Sequence, residues 1–262
     1  MISPEENVAV LIEAWKLMVG RLPHPDIRHT DGVATMFAHV PLPFLNLSIP
    51  DHPLPDANAL RETLGVMKQR ANSCRHASLL GLCTDWAPDD WAQVAAEERL
   101  AVAVNVTGME ADRLLPPRRP LPGLELRRVA DPSSARDIAM VNAHAYAMAP
   151  EMFEYICNLH LWHEDSLGYV GYVAGRPMTS AAAFPVAGTM YIAFVATVPE
   201  AHGQGCAEAV MRHVIEQGAE QMGPKRMTLH ASDAGLPLYR SMGFEAGSRV
   251  ALLTATDGSA HS

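Results

Sequence analysis

Between residues 114 and 123 the chain reads LLPPRRPLPG, with four prolines and a glycine in ten positions. Proline lacks a backbone N–H and its ring clashes with the preceding turn, so this stretch holds neither a helix interior nor a central strand. It divides the 262 residues into two halves of similar length. Each half is long enough for a domain of its own. The sequence therefore predicts a first domain over 1–115, a proline-rich linker over 116–123 and a second domain over 124–256, followed by a polar tail over 257–262.

The second half gives the clearer pattern. LELRRV (124–129) reads as a strand. The next segment starts a helix, with Asp131 as cap and Pro132 at the first helical position. A second helical patch, EMFEYICNLHLW, follows. Two strands then flank the turn Ala174–Gly175–Arg176–Pro177 as a hairpin. TMYIAFVATV (189–198) is nearly all apolar and reads as a central strand. After it come a glycine-containing corner, an amphipathic helix, the strand RMTLHAS, the short helix LPLYRSMG and a last strand, SRVALLTAT.

The first half repeats the later part of that order. Strands at 32–40 and 44–49 precede a helix at 56–71, a strand at 77–85, a helix at 88–98 and a strand at 100–108. Each lies roughly 147 residues before its counterpart, with little residue identity, so the repeat is one of pattern. Asp85 corresponds to Asp233 and Trp91 to Tyr239.

Composition narrows the partners. Lys and Arg total 20 against 29 Asp and Glu, a formal net charge of −9. Nucleic-acid binding needs a basic patch, so no nucleic-acid partner is expected. The four cysteines form no CxxC pair and read as reduced thiols, with no metal site expected. At the N-terminus Glu5, Glu6 and Glu13 stand where a signal peptide would be basic, and no charge-free apolar run of about 18 residues occurs. Ser3, Pro4 and Glu6 fit a capped helix ending at Gly20. A cytoplasmic chain without membrane contact is the expectation.

The segment AHGQGCAEAVMRHVIEQG (201–218) carries the chemistry. A helix N-terminus leaves unpaired N–H groups and a partial positive charge. Glycines there let an anion approach the bare backbone. Gly203 and Gly205 sit where a phosphate could dock, with further N–H groups from Gln204, Cys206 and Ala207. The same glycines also fit a tight strand-to-helix turn. A dinucleotide fingerprint would need a third glycine where Glu208 stands, and a P-loop would need GK[ST], so neither fits.

The corner in VATVPEAHGQGCA resembles the GCN5-related N-acetyltransferase (GNAT) superfamily, whose pattern is a strand followed by Q/R-x-x-G-x-G/A opening a helix. His202 departs from that pattern at the first position. LHASDAGLPLYRSMGFE (229–245) is similar to the family segment ending in L-Y-x-x-x-G-F, with Ser232 where many members carry Asn. The resemblance covers roughly residues 124–256. It implies an α/β (α+β) fold with a mixed, mostly antiparallel central sheet flanked by helices, here in tandem with a truncated N-terminal copy. It implies acetyl-CoA as co-substrate. Val195, Ala196 and Thr197 would then meet the pantetheine arm and thioester, and the amides of residues 203–207 the pyrophosphate, with His202 and Ser232 beside them.

Acetyl transfer to an amine needs a neutral amine, a donor for the developing oxyanion and a donor for the departing thiolate. The resemblance assigns the last task to Tyr239. The base is left open among Glu151, Glu154, His160, His163, Glu164 and His230, or a water chain. Met140, Met148 and Met152 would line an apolar acceptor pocket or pack as ordinary core. In the first half Asp56 stands near the position of the glycines and Trp91 at that of the tyrosine, so that half is expected not to bind acetyl-CoA. The chain is thus expected to acetylate the amine of a small molecule. A non-catalytic acyl-CoA module and a protein or peptide N-acetyltransferase are the alternatives. The oligomeric state, a homodimer included, stays open.

Overall fold

The computed structural model describes residues 2–223 and 225–256. Along the chain run α1 (Pro4–Gly20), β1 (Asp26–Thr30), β2 (Val33–Phe37), β3 (Asn46–Pro50), α2 (Ala57–Ala71), β4 (Leu79–Cys83), α3 (Trp91–Glu97) and β5 (Leu100–Ala111). There follow β6 (Glu125–Arg128), α4 (Pro132–Ala145), β7 (Leu167–Val173), β8 (Arg176–Val186), β9 (Thr189–Thr197), α5 (Cys206–Met222), β10 (Met227–Ser232), α6 (Leu236–Met242) and β11 (Glu245–Ala255). The runs from β1 to β5 and from β7 to β11 present the same order of elements, β-β-β-α-β-α-β. The polar tail 257–262 lies outside the described residues.

Local signals place many of these elements. Ser3, Asp56 and Asp131 each cap a helix, their side chains accepting N–H bonds from the first turn. Such a cap contributes about 1 kcal/mol. Three tight hairpins turn on a pair of positive-φ residues ending in glycine: Asp31–Gly32, Ala174–Gly175 and Ala187–Gly188. That turn matches the twist of the strands it joins.

The chain divides into two compact units. The first holds the described residues of 1–109 with 230–236 and 246–256; the second holds 110–229 and 237–245, again as described. In the first unit the strand order is β1-β2-β3-β4-β11-β5. β1, β2 and β3 pair antiparallel, β3 and β4 parallel, and β4 and β11 antiparallel. Its core joins Leu60, Leu64 and Met67 of α2, Val94 and Ala95 of α3, Leu80 and Leu82 of β4, and Ala251 and Leu253 of β11. In the second unit the order is β10-β9-β8-β7-β6. β9 and β10 are parallel and the other pairs antiparallel. A mixed, mostly antiparallel sheet flanked by helices is therefore what the sequence led us to expect.

Three features differ from the sequence reading. The expected segment 124–256 coincides with neither unit, because β11 pairs with β4 through Val250↔Cys83 to Leu253↔Leu80 and groups with the first. Its residues 250–253 are at most 2% exposed, so burial against that sheet holds the strand there. The expected second helical patch is 3-10 backbone, at Pro150–Cys157 and Leu159–Trp162. Asn158 separates the two pieces, its N–H donating to the Tyr155 carbonyl and its side chain accepting from the His160 N–H at 3.0 Å. β1 was not foreseen, because DIRHT lacks an alternating apolar pattern; four of its five residues are exposed.

Candidate functional site

The second unit builds its site on β9 and the corner that follows. Pairing of β9 with β8 steps from Ser180↔Ala196 to Ala182↔Ala193, so β9 carries one extra residue there. This is a β-bulge, which re-aims the strand. Phe194 takes a positive φ of 51° at the bulge. Its ring is held by Trp162 at 5.8 Å and Phe184 at 6.1 Å between centroids. On the other side, among the described residues, β9 pairs with β10 only through Met190 and Tyr191. Beyond Tyr191 that edge of β9 leaves the ladder.

Side chains fix the departing strand. Ser180 Oγ donates to the Phe194 carbonyl at 2.8 Å and itself accepts from the Asn142 amide at 3.1 Å. The Tyr146 hydroxyl donates to the Val195 carbonyl at 3.3 Å, and Thr179 Oγ1 to the Ala196 carbonyl at 2.9 Å. His202 Nε2 lies 2.8 Å from the Thr197 carbonyl, which only a donating N–H can satisfy. Carbonyls 194–197 are thus each engaged by a side chain. A strand held this way presents its N–H groups in a fixed geometry, as stabilisation of a developing oxyanion requires.

The corner then opens α5. Gly203 has φ 72° and Gly205 φ 85°, a left-handed backbone that an L side chain strains to adopt. Gly205 is the N-cap and no side chain caps the helix. Cys206 is buried beside Val198 and Ala201, with Leu124 and Met178 packed on that cluster, which anchors the corner. Burial pushes the Cys206 thiol upward, so it stays protonated. The acid of the first turn, Glu208, is paired with Arg212 at 2.8 Å on the same helix. That pairing offsets the Glu208 charge, which would otherwise repel an anion at this end. Gln204 turns its side chain back to the Glu200 carbonyl at 2.7 Å.

Tyr239 lies on α6, buried against Phe244 at 6.1 Å between ring centroids. Burial, then the neighbouring Tyr146, pushes its hydroxyl well above the ordinary phenol range. It therefore remains a donor at every working pH, but full proton transfer to a thiolate is less favoured than for a free phenol. Burial raises Tyr191 and Tyr155 likewise, with Tyr239 near the first and Tyr146 near the second. Tyr146 thus joins the Val195 carbonyl to the phenol cluster, and nothing local in its sequence marks it out.

The structure brings Val195, Ala196, Thr197, His202, Gly203, Gln204, Gly205, Cys206, Ala207 and Tyr239 into one unit. Ser232 groups with the other unit, at the end of β10. So does His230, whose buried ring is driven down to about 3 by desolvation. A base needs a pKa near the working pH, so His230 does not fill that role. Glu151, Glu154 and His160 are exposed, and His163 lies 3.5 Å from Asp165. Among the described residues no group of three or more His, Cys, Asp or Glu could hold a metal ion. No helix among them is long and apolar enough to cross a membrane.

Residues 129–244 match the model of the Acetyltransferase (GNAT) family. No curated protein matches the chain. Among solved structures the chain is similar to a GCN5-related N-acetyltransferase from Kribbella flavida, at 18% identity over 97% of this chain and 98% of that one, with a TM-score of 0.68. It is also similar to a functionally unknown conserved protein from Staphylococcus epidermidis, at 16% identity over 88% and 94%, with a TM-score of 0.63. A third is a GCN5-related N-acetyltransferase from Sphaerobacter thermophilus, at 15% identity over 94% and 90%, with a TM-score of 0.56. These likenesses are of fold.

Proposed function

We propose that the GNAT-type domain of this chain binds acetyl-CoA and moves its acetyl group to the amine of a small molecule. One observation carries the reading: β9 leaves β10 after Tyr191 with its carbonyls held by side chains, and runs into an uncapped helix end on two left-handed glycines. The group fits this cradle. A side chain at Gly205 would be strained at φ 85°, and its Cβ would stand in contact with Pro122 Cδ at 3.4 Å and the Arg119 guanidinium at 3.6 Å. The amides from Gly203 to Ala207 would hold the pyrophosphate. Val195, Ala196 and Thr197 would hold the pantetheine arm and thioester.

When bound, the cofactor supplies an activated acetyl group. The protein's part is orientation and polarity. The N–H groups around Ala196 and Thr197 would stabilise the oxygen on which negative charge develops. The Tyr239 hydroxyl would hydrogen-bond the departing sulfur. The acceptor amine loses its proton to solvent or to an exposed acid of the 150–164 segment. The N-terminal half, in this reading, is a degenerate copy without a cofactor, because Asp56 occupies its equivalent helix end.

Thermal unfolding with coenzyme A and acetyl-CoA tests the proposal. Ligand at 100 times its dissociation constant stabilises by about 2.7 kcal/mol. The wild type should shift upward and a folded Gly205→Glu should not. No shift at millimolar ligand removes the reading. Release of coenzyme A with free amines but not peptides would support the small-molecule acceptor. A binding module without turnover is the second reading, favoured by His202 at the first position of the corner, its ring taken up by the Thr197 carbonyl; binding with no release across amines and peptides would support it.

A further inference from the structure

The proline-rich segment between β5 and β6 is more than a connection. At one end the Leu115 N–H donates to the Met242 carbonyl at 2.8 Å, and Arg212 of α5 donates to the Leu115 carbonyl at 2.6 Å. At the other, Leu124 packs on the cluster of Val198, Ala201 and Cys206 beneath the corner. Between these anchors four prolines restrict the backbone, so little freedom remains to be lost on ordering. The strap passes the opening of α5 closely. Pro122 Cδ lies 3.4 Å, and Arg119 Nε and Nη2 each 3.6 Å, from where a Cβ on Gly205 would stand.

Arg119 is exposed and makes no hydrogen bond or ion pair among the described residues. The nearby acid of α5, Glu208, is already taken by Arg212. The corner's own polar side chains are turned away: His202 bonds to the Thr197 carbonyl and Gln204 to the Glu200 carbonyl. The helix end therefore offers backbone amides, and the cationic side chain beside it comes from the strap. A guanidinium is charged at every working pH and matches phosphate oxygens with paired N–H donors.

We propose that Arg119 is a ligand of the cofactor's pyrophosphate, supplying from the strap the side-chain donor that His202 and Gln204 do not. This rests on the acyl-CoA reading and adds to it a specific residue outside the glycine corner. The strap then serves binding as well as connection.

Isothermal titration of the full chain with coenzyme A and with dephospho-coenzyme A, which lacks the 3′-phosphate, separates the outcomes. Arg119→Gln should raise the dissociation constant about ten- to hundredfold for both ligands, as loss of a charged hydrogen bond does. Arg119→Lys should recover part of the loss, and Arg118→Gln, one residue along the strap, should change it by less than about threefold, as a solvent-screened charge does. Unliganded melting of each variant checks folding; both sites are exposed. Equal affinities of Arg119→Gln and wild type overturn the inference while leaving the acyl-CoA reading intact. So does an equal loss in Arg118→Gln, which would mark a diffuse charge effect. A loss seen with coenzyme A but absent with dephospho-coenzyme A overturns the pyrophosphate assignment in favour of the 3′-phosphate. Failure of the wild type to bind either ligand overturns both readings.

Discussion

Two helices of this chain start in comparable places and end up chemically opposite. α2 and α5 each link two parallel strands, β3 to β4 and β9 to β10. At α2 the Asp56 carboxylate accepts from the Asn58 and Ala59 N–H groups, both at 2.9 Å. That helix end carries its own anion. At α5 the cap is a left-handed glycine, which has no side chain to bond the first-turn N–H groups. One backbone arrangement is closed from within by a carboxylate and the other is not. Filling such an end contributes about 1 kcal/mol when done by a side chain. Leaving it open forgoes that stability, which a bound anion can return by mass action.

The contrast can be broken or sharpened by measurement. The largest effect concerns the unit with the closed end. Burial drives His230 down to about 3, whereas an unfolded histidine titrates near 6.5. Below about pH 6.5 the unfolded chain takes up a proton that the folded one refuses, so stability falls as pH drops from there toward 3. The slope should reach about 1.4 kcal/mol per pH unit. His230→Phe should flatten the denaturant midpoint over that range; an unchanged slope would show that the ring is not held neutral. Next, Tyr239→Phe should lower turnover about a hundredfold and leave coenzyme A affinity within twofold. A Trp91→Tyr variant should gain no activity of its own. Equal turnover in Tyr239→Phe would reduce the tyrosine to a packing role. The smallest effect is at Asp56. Removing its carboxylate as Asp56→Ala should cost about 1 kcal/mol, read from urea unfolding. Titration should still give one coenzyme A per chain, and a second equivalent would collapse the distinction between the two helix ends.

The sequence revealed the glycine corner because its requirement is local. Left-handed backbone at residues 203 and 205 calls for glycine whatever the rest of the chain does. The helix starts at Ser3, Asp56 and Asp131 were legible for the same reason. β1 carried a usable signal, the Asp31–Gly32 turn, which the polar strand beside it concealed. The 3-10 backbone over 150–162 was hidden because an amphipathic pattern does not distinguish a tight helix from an α-helix over one or two turns. Arg119 and Tyr146 carried no local mark at all. Their positions follow from where a strap and a helix end are pinned.

What the sequence determined by itself is the order of elements apart from β1, the helix starts at Ser3, Asp56 and Asp131, the hairpin at Ala174–Gly175 and the glycine corner, since each depends on residues within about four positions of one another. Tertiary structure alone decided three matters. The last strand joins the first unit, pairing Val250 with Cys83 across most of the chain. Four carbonyls of β9 are clamped by Ser180, Tyr146, Thr179 and His202, three of them distant in sequence. The proline-rich strap lays Arg119 at the opening of α5. Many strands offer the same apolar face and the same ladder groups, so only the summed burial of the whole core selects which of them meet.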